Sequence, residues 1–197
     1  MTLESEQLLL LAGQGNRDAM GELYRRHKPQ VMSFFRHMRV AREHVEDLTQ
    51  EVFLRIWKSA ARYRPSGKYS SFMFTVAANV WRDQRRRSRL RRTVSEAEVF
   101  AEPVSDGRTR PDGASARAEF RRDLEEALGN LPENERMTFV LSEIQGVSYR
   151  DIARITRCRI GTVGSRKTRA VRHLRRLLIE HAPEKYLKEV VKHEVSG

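Results

Sequence analysis

Lys68–Arg92 reads KYSSFMFTVAANVWRDQRRRSRLRR, and this stretch decides how the rest of the chain is understood. Its first half is apolar and aromatic: Tyr69, Phe72, Met73, Phe74, Val76, Val80 and Trp81. Its second half is cationic, with arginine at seven of the eleven positions 82–92. Phe72, Val76, Val80 and Asp83 fall at helical spacing, and Ser70 or Ser71 suits the helix start, where a hydroxyl accepts an orphan backbone N–H. The expectation is one helix that buries its first turns and ends in an arginine cluster. Arginines beside aromatics suit a polyanion with ring faces to stack on, which describes a nucleic acid, single strands above all.

The charge of the whole chain agrees. Over 197 residues the formal net charge is +12, which points to an acidic polymer or surface as partner. It is concentrated in two blocks: residues 82–92 are net +6 and residues 147–177 net +9, so the remainder is net −3. Two separate contact sites are expected, and the length suits one large or two small domains. Cys158 is the only cysteine. That excludes an intrachain disulfide and a zinc site of paired cysteines, and fits a reducing compartment. The run Leu8–Ala12 is too short to span a membrane, and no cationic segment precedes it as in a signal peptide. The expected protein is soluble and cytoplasmic, with no membrane insertion, no cofactor, no metal and no small-molecule substrate.

In chain order, Glu4–Ala12 and Asp18–Arg26 read as short helices broken at Gly13, Gly15 and Asn16. Met20, Leu23, Tyr24, His27, Val31, Phe34 and Phe35 continue an apolar stripe to Met38, with Pro29 placed to kink or restart the helix. Glu43–Ala61 is strongly amphipathic: Val45, Leu48, Val52, Phe53, Ile56 and Trp57 form the apolar face, and Glu46, Asp47, Gln50 and Glu51 a mostly acidic patch. Tyr63–Ser71 is a loop marked by Pro65, Ser66 and Gly67. Thr93–Ala118 shows no period and holds Pro103, Gly107, Pro111 and Gly113, so it reads as a flexible linker between two domains. Beyond it, Glu119–Leu131 presents Phe120, Leu124, Ala127, Leu128 and Leu131, and Glu133–Ile144 follows Pro132, a residue suited to a helix start. Gly146 ends that helix. After Pro183, Glu184–Val195 is expected to form a small amphipathic helix. No strand pattern is convincing, so the fold class is all-α: two small helical domains joined by a flexible linker.

The second basic block has its own design. Ser148 and Asp151 form a capping box for the helix Tyr149–Arg157. The turn Cys158–Gly161 then leads to a long basic helix, Thr162–Ile179. This is a helix-turn-helix pattern. At about 100° per residue, Val163, Ala170, Leu174 and Leu177 share the packing side, while Ser165, Thr168, Arg169, Arg172 and Arg176 fall opposite. Short polar groups and arginines near the helix start can reach base edges in a major groove. Arg166, Arg172, Arg175 and Arg176, at the flanks or far end, suit phosphates.

With these motifs in order, the chain resembles a known family. VEDLTQEVFLRIW at Val45–Trp57 is similar to the segment by which sigma factors grip the RNA polymerase clamp. KYSSFMFTVAANVWRDQRRR is similar to the adjoining segment that melts and reads the −10 promoter element. LPENERMTFVLSEIQGVSYRDIARITRCRIGTVGSRKTRAVRHLRRL, from Leu131, is similar to the −35-reading domain. The short length, with little between the two blocks, resembles the extracytoplasmic-function (ECF) subgroup of the sigma-70 family.

The resemblance implies roles by position. Glu46, Asp47, Gln50 and Glu51 would dock on the polymerase β′ clamp, and the β flap of the same core enzyme would be a second contact. Tyr63, Lys68, Tyr69, Ser70 and Ser71 would line or flank a pocket for one flipped base of the −10 strand. Asn79 would pair with that base, and Arg82, Arg85 and Arg86 would hold phosphates, with Asp83 orienting an arginine. Thr162, Ser165, Arg166, Thr168, Arg169 and Arg172 would read the −35 duplex. An anti-sigma factor is an implied partner. The implied domains are residues 1–92 for polymerase and −10 binding, 93–118 as linker, 119–180 for the −35 element and 181–197 as tail. The chain departs from the family pattern at Phe72, where Trp is usual, at Ala78, where a basic residue is common, and at Gly164, where Lys or Arg is common. Lys167 takes a slot usually held by Leu or Ile, so either its stem lies along the core with the ammonium lifted out or the helix rotates slightly.

Two other classes fit less well. A stand-alone regulator with a receiver domain needs alternating strands before residue 92, where only helical periods occur. A metal-dependent nuclease built on Asp47, Glu51 and Asp83 needs those carboxylates to converge, and Asp83 stands among arginines. The chain is therefore read as a binding protein and not an enzyme.

Overall fold

The structure, a computed structural model, describes the backbone of residues 3–65, 68–94 and 116–181, and their side chains apart from those of 91–94, 116–122 and 179–181. Among the described residues every regular element is helical, and they form two helical domains. The first comprises α1 (Ser5–Gly13), α2 (Arg17–His37), α3 (Arg42–Ala60) and α4 (Tyr69–Val94). The second comprises α5 (Ala116–Gly129), α6 (Glu133–Phe139), a π-helical turn (Val140–Ile144), α7 (Tyr149–Thr156) and α8 (Ile160–His181). The bulk of the expected linker, residues 95–115, the tail from residue 182, the pair Ser66–Gly67 and the side chain of Phe120 lie outside the described residues.

Helix α2 runs unbroken through Pro29, where a kink or restart was expected. Pro29 removes one backbone donor, a cost of roughly 3 kcal/mol or more in a helix interior. Met20 and Leu23 before it, and Val31, Phe34 and Phe35 after it, are buried on the same core, and each is worth roughly 1.5–3 kcal/mol on burial. Packing on both sides of the proline therefore holds the helix together. It ends at Arg39, whose φ of 59° is left-handed. The Arg39 and Val40 amides return to the carbonyls of Arg36 and Phe35, closing the helix without a glycine.

Helix α4 begins at Tyr69, so Ser70 and Ser71 lie inside its first turn and not ahead of it as caps. Its buried side is also broader than the expected Phe72–Val76–Val80 stripe. Met73, Phe74, Ala77, Ala78, Val80 and Trp81 are buried, while Phe72 and Val76 are only half-buried. The reason is that α4 is packed from two directions, by α3 and α2 within its own domain and by α7 of the second domain. One continuous cluster of buried side chains accordingly reaches from Leu8 and Phe34 through Phe74 to Ile152, Ile155 and Val163. A smaller cluster of Ala127, Leu128, Leu131, Ala170 and Leu174 joins α5 to α8.

Arg136, on α6, is a buried charge that the sequence did not reveal. Its Nη2 donates to the carbonyls of Gly129 at 2.6 Å and Leu131 at 2.9 Å, closing the C-terminal end of α5. Burial, and then the nearby charges of Arg39 and Arg85, lower its pKa to about 10.

Two glycines separate tight from open packing. A Cβ at Gly13 would lie 2.6 Å from the carbonyl oxygen of Ala60 on α3, whereas one at Gly164 meets nothing within 4 Å. Gly13→Ala should therefore destabilise the fold by about 1–3 kcal/mol through forced separation of α1 from α3. Gly164→Ala should stabilise it by about 1 kcal/mol through helix propensity. Urea denaturation of both variants against wild type checks the opposite signs.

Candidate nucleic-acid and protein interfaces

The first surface lies on α3. Burial of Val45, Thr49, Val52, Phe53 and Ile56 sets the rotation of this helix and turns Glu46, Asp47 and Gln50 outward. Glu46 pairs with Lys28, which lies over the Tyr24 ring at 5.4 Å. Glu51 is half-buried and accepts from Arg55 Nε at 2.7 Å. Trp57, expected on the apolar face, is 41% exposed, and Leu54 is 48% exposed. The one-turn offset of Trp57 from Phe53 carries it past the edge of the core. Together with Met20, Tyr24, Gln50 and Phe53 these two line a shallow groove of about 440 Å³. An apolar groove rimmed by Gln50 and bordered by acids suits a partner helix that is apolar on one side and basic beside it.

The second surface runs along α4 and the loop before it. Tyr63 stacks against Phe72 at 4.9 Å, and its hydroxyl donates to Glu6 at 3.2 Å. Burial first, and then Glu6, push its phenol up to about 12. Tyr69 lies in the core, 4% exposed, with its ring 4.7 Å from His27. It is thus a packing residue at the root of the loop and offers no open ring face to a base. Lys68 is exposed, and Ser70 and Ser71 are half-buried. A cleft of about 360 Å³ opens beside them, lined by Tyr63, Lys68, Ser71, Phe72 and Thr75, and closed on its far side by Asp151, Arg154 and Ile155 of α7.

One helical turn on, Asn79 is half-buried and its Oδ1 accepts from Arg82 Nη1 at 2.9 Å. Arg82 also donates from Nη2 to the carbonyl of Ile155 at 2.7 Å. Burial, and then the charge of Arg157, lower the Arg82 pKa. Asp83 accepts from Arg55 Nη1 at 2.8 Å and from Arg86 at 3.3 Å. It therefore orients Arg86 as expected, and also ties α4 to α3. Arg85 lies over the Trp81 ring at 5.9 Å and pairs with Glu133 of α6. The shared partner of Glu51 and Asp83 is the Arg55 guanidinium, an arrangement suited to joining two helices.

The third surface is the exposed side of α8. Ser148 caps α7, its Oγ receiving the Asp151 amide at 3.2 Å. The turn to α8 pivots on Arg157, left-handed at φ 53°, with the Cys158 amide returning to the Ala153 carbonyl at 3.0 Å. Val163, Ala170 and Leu174 are buried, which exposes Ser165, Thr168, Arg169 and Arg172 and leaves Thr162 and Arg166 half-buried. The Ser165 and Thr168 hydroxyls rest on the carbonyls of Thr162 and Gly164, both at 3.1 Å. Their oxygens still have lone pairs to offer. Arg169 is exposed, with its Nε 3.3 Å from the Glu135 carboxylate. Lys167 is half-buried, with its ammonium 5.7 Å from the centre of the Tyr149 ring and 2.9 Å from the Glu143 carboxylate, while Val163 and Ala170 keep the packing side expected for the helix.

Comparison with known proteins bears on all three surfaces. Residues 23–91 match the family described as sigma-70 region 2, and residues 121–174 match sigma-70 region 4. The RNA polymerase sigma factor CarQ of Myxococcus xanthus is 33% identical over 166 residues, 84% of this chain and 92% of that protein. The chain belongs to the ECF sigma factors of the sigma-70 family. The ECF sigma factor SigE of Mycolicibacterium smegmatis is 32% identical over 164 residues, 83% of this chain, which spans 63% of that relative's length. Among solved structures, the sigma factor RpoE of Bartonella quintana, crystallised with the anti-sigma factor NepR, superimposes with a TM-score of 0.69 at 26% identity, covering 80% of this chain and 95% of that one. In this sigma factor, region 2 spans the α3 patch and the α4 stripe, and region 4 contains the helix-turn-helix. Among the described residues no helix is long and apolar enough to cross a membrane.

Sequence reasoning missed Arg55, Leu54 and Trp57. Arg55 had a signal, since it stands four residues after Glu51. Leu54 and Trp57 had a weaker one, two large apolar residues too far round the helix to be buried together with Val45 and Val52.

The Asp83–Arg55 contact carries a pH dependence. The hydrogen bond from Arg55 holds the Asp83 carboxyl below the usual carboxylate range, against a smaller opposing effect of burial. A depressed folded value means that the contribution to stability is complete above the ordinary carboxylate range, and is lost as pH falls through the folded value. Asp83→Asn should therefore lower the urea midpoint at pH 7, and the gap to wild type should narrow on acidification to about pH 3. A gap that stays constant between the two pH values would place the effect of the substitution elsewhere.

Proposed function

We propose that this sigma factor docks on core RNA polymerase through the α3 patch, captures an unpaired base of the −10 strand at α4 and its preceding loop, and reads the −35 duplex with α8. The observation that carries this reading is the order of three surfaces along one chain. An acidic helix borders an apolar groove, an aromatic loop feeds an arginine stripe, and a helix-turn-helix exposes Ser165, Thr168, Arg169 and Arg172. The β′ clamp would meet Asp47, Gln50, Leu54 and Trp57, and the β flap would meet the −35 module. Residues 1–92 would form the polymerase and −10 module, 93–118 the linker, 119–180 the −35 module and 181–197 the tail. The work is binding, done in the cytoplasm beside the genome, with no chemistry of the chain's own. By analogy with the Bartonella quintana complex, an anti-sigma factor is a further proposed partner.

Melting in this scheme is differential binding. A flipped base held in the cleft beside Ser71 and Asn79 offsets an unstacking cost of a few kcal/mol. An amide can donate to and accept from one base edge, which makes Asn79 suited to that task. Two modules joined by a linker and placed on one rigid enzyme also raise each other's effective concentration at the promoter.

Two substitutions test the assignment. Asp47→Lys with Gln50→Ala changes exposed groups only, so it should leave the melting temperature near wild type while core polymerase is no longer retained in a pull-down. Equal retention would place the clamp contact elsewhere. Asn79→Ala should spare binding to core polymerase and to −35 duplex, and should abolish permanganate reactivity of unpaired thymines near −10. Mismatches that pre-open those pairs should restore part of the activity, because the unpairing cost is then already met. Opening of a fully paired promoter at the wild-type rate would show Asn79 to be a helix-surface amide alone.

A further inference from the structure

Glu135 stands in the first turn of α6 and is 8% exposed, and among the described residues it is the only acid that is buried. An acid in a first turn complements the helix macrodipole, but an exposed side chain meets that need as well. A carboxylate taken out of water requires partners for its charge. Glu135 meets them on α8, which packs along α6. Arg169 brings Nε to 3.3 Å from Oε1, and His173 brings Nδ1 to 2.9 Å from Oε2. Oε2 is shielded from solvent without an aligned hydrogen-bond donor, and the His173 nitrogen lies beside it. Arg169 and His173 are four residues apart and so share a face of α8. One carboxylate therefore reaches two successive turns of that helix.

The consequence falls on Arg169. An arginine carries five N–H donors in a planar fork, and a guanine is read by two of them at O6 and N7. A contact at Nε takes one donor and leaves those of Nη1 and Nη2. It also ties the plane of the fork to a carboxylate that is itself held between two packed helices. The Arg169 side chain remains 54% exposed, on a helix that also exposes Ser165, Thr168 and Arg172. Among the described residues, neither Arg166 nor Arg172 has a carboxylate of this kind. The difference matches their tasks. A phosphate contact needs charge and tolerates a mobile side chain, whereas a bidentate base contact needs a fixed plane.

Resting on the proposed reading of the −35 duplex by α8, we propose that Glu135 is a positioning residue for that reading. It holds Nε of Arg169 and so presents the Nη1 and Nη2 edge of the guanidinium to a guanine in the major groove, while His173 borders the other carboxylate oxygen. A residue of α6 thereby sets the base preference at one position from behind the recognition helix, without itself meeting the DNA. An arginine ordered in this way loses less freedom on binding than one on a bare helix face.

The test uses holoenzyme formed from core polymerase and the full chain, on a pool of promoters randomised through the −35 element, with the bound fraction sequenced. Preference is read as a ratio between bases within one pool, so a variant that folds or assembles less completely changes the yield and not the ratio. Wild type should favour guanine at one position, and Arg169→Ala should abolish that preference. Glu135→Gln keeps an acceptor without its charge and should reduce the preference at the same position several-fold. Glu135→Ala should reduce it further, with the other positions unchanged. In the Arg169→Ala background neither change at Glu135 should add anything, because a residue that acts through Arg169 has no effect once Arg169 is gone. A preference unaltered in Glu135→Ala, a preference weakened equally at every position, or an effect of Glu135→Ala that persists without Arg169 overturns the inference. The same data separate it from the function on which it rests. A selection unchanged by Arg169→Ala rejects the reading by α8, whereas one that responds to Arg169→Ala and not to Glu135→Ala rejects the positioning alone.

Discussion

Helix α4 has to be core and surface at once, and the rest of the structure follows from how it manages this. Its apolar half is clamped between α3 and α2 on one side and α7 on the other. Its cationic half would repel itself if left as an isolated row, since like charges at helical spacing destabilise a helix. The structure answers with carboxylates placed along the row. Asp83 joins Arg55 and Arg86, and Glu133 joins Arg85. The same arginines that make the helix fit for nucleic acid therefore also fix its place against its neighbours.

The polar contacts of α4 come from two sources. The Arg55–Asp83 pair lies within the first domain and ties α3 to α4. Groups from the second domain engage Arg82 and Arg85 instead. Helix α8 is held differently. Its packing side is fixed by Val163, Ala170 and Leu174, Lys167 is anchored through Glu143, and its short polar residues remain exposed to solvent.

Much of this was legible in the residues. The amphipathic pattern of Val45–Ile56, the cap at Ser148, the stop at Gly146 and the packing side of α8 all rest on local chemistry, and they stand in the structure where that chemistry puts them. Other features were not legible because they depend on partners distant in sequence. Pro29 reads as a break because a proline's cost is local, while the burial that outweighs it comes from the packing of α1, α3 and α4 on α2. Arg39 and Arg157 adopt left-handed turns that sequence reading reserves for glycine. Tyr69 stands beside the loop in sequence, but its ring packs in the main core with His27 from a helix distant in sequence. Ala78 shares a face with Arg82, and the packing of α7 on that face comes from a second domain that no period within α4 could disclose.

The central claim is that this chain confers promoter specificity on a polymerase that lacks it. The most direct measurement is run-off transcription from a library of genomic fragments by core RNA polymerase with and without the purified chain, with the transcript 5′ ends mapped. The account predicts transcripts that appear only with the chain present and that start downstream of two recurring sequence elements at a fixed separation, one for each DNA-reading module. Transcripts unchanged by the chain, or start sites that share no pair of elements, would contradict it.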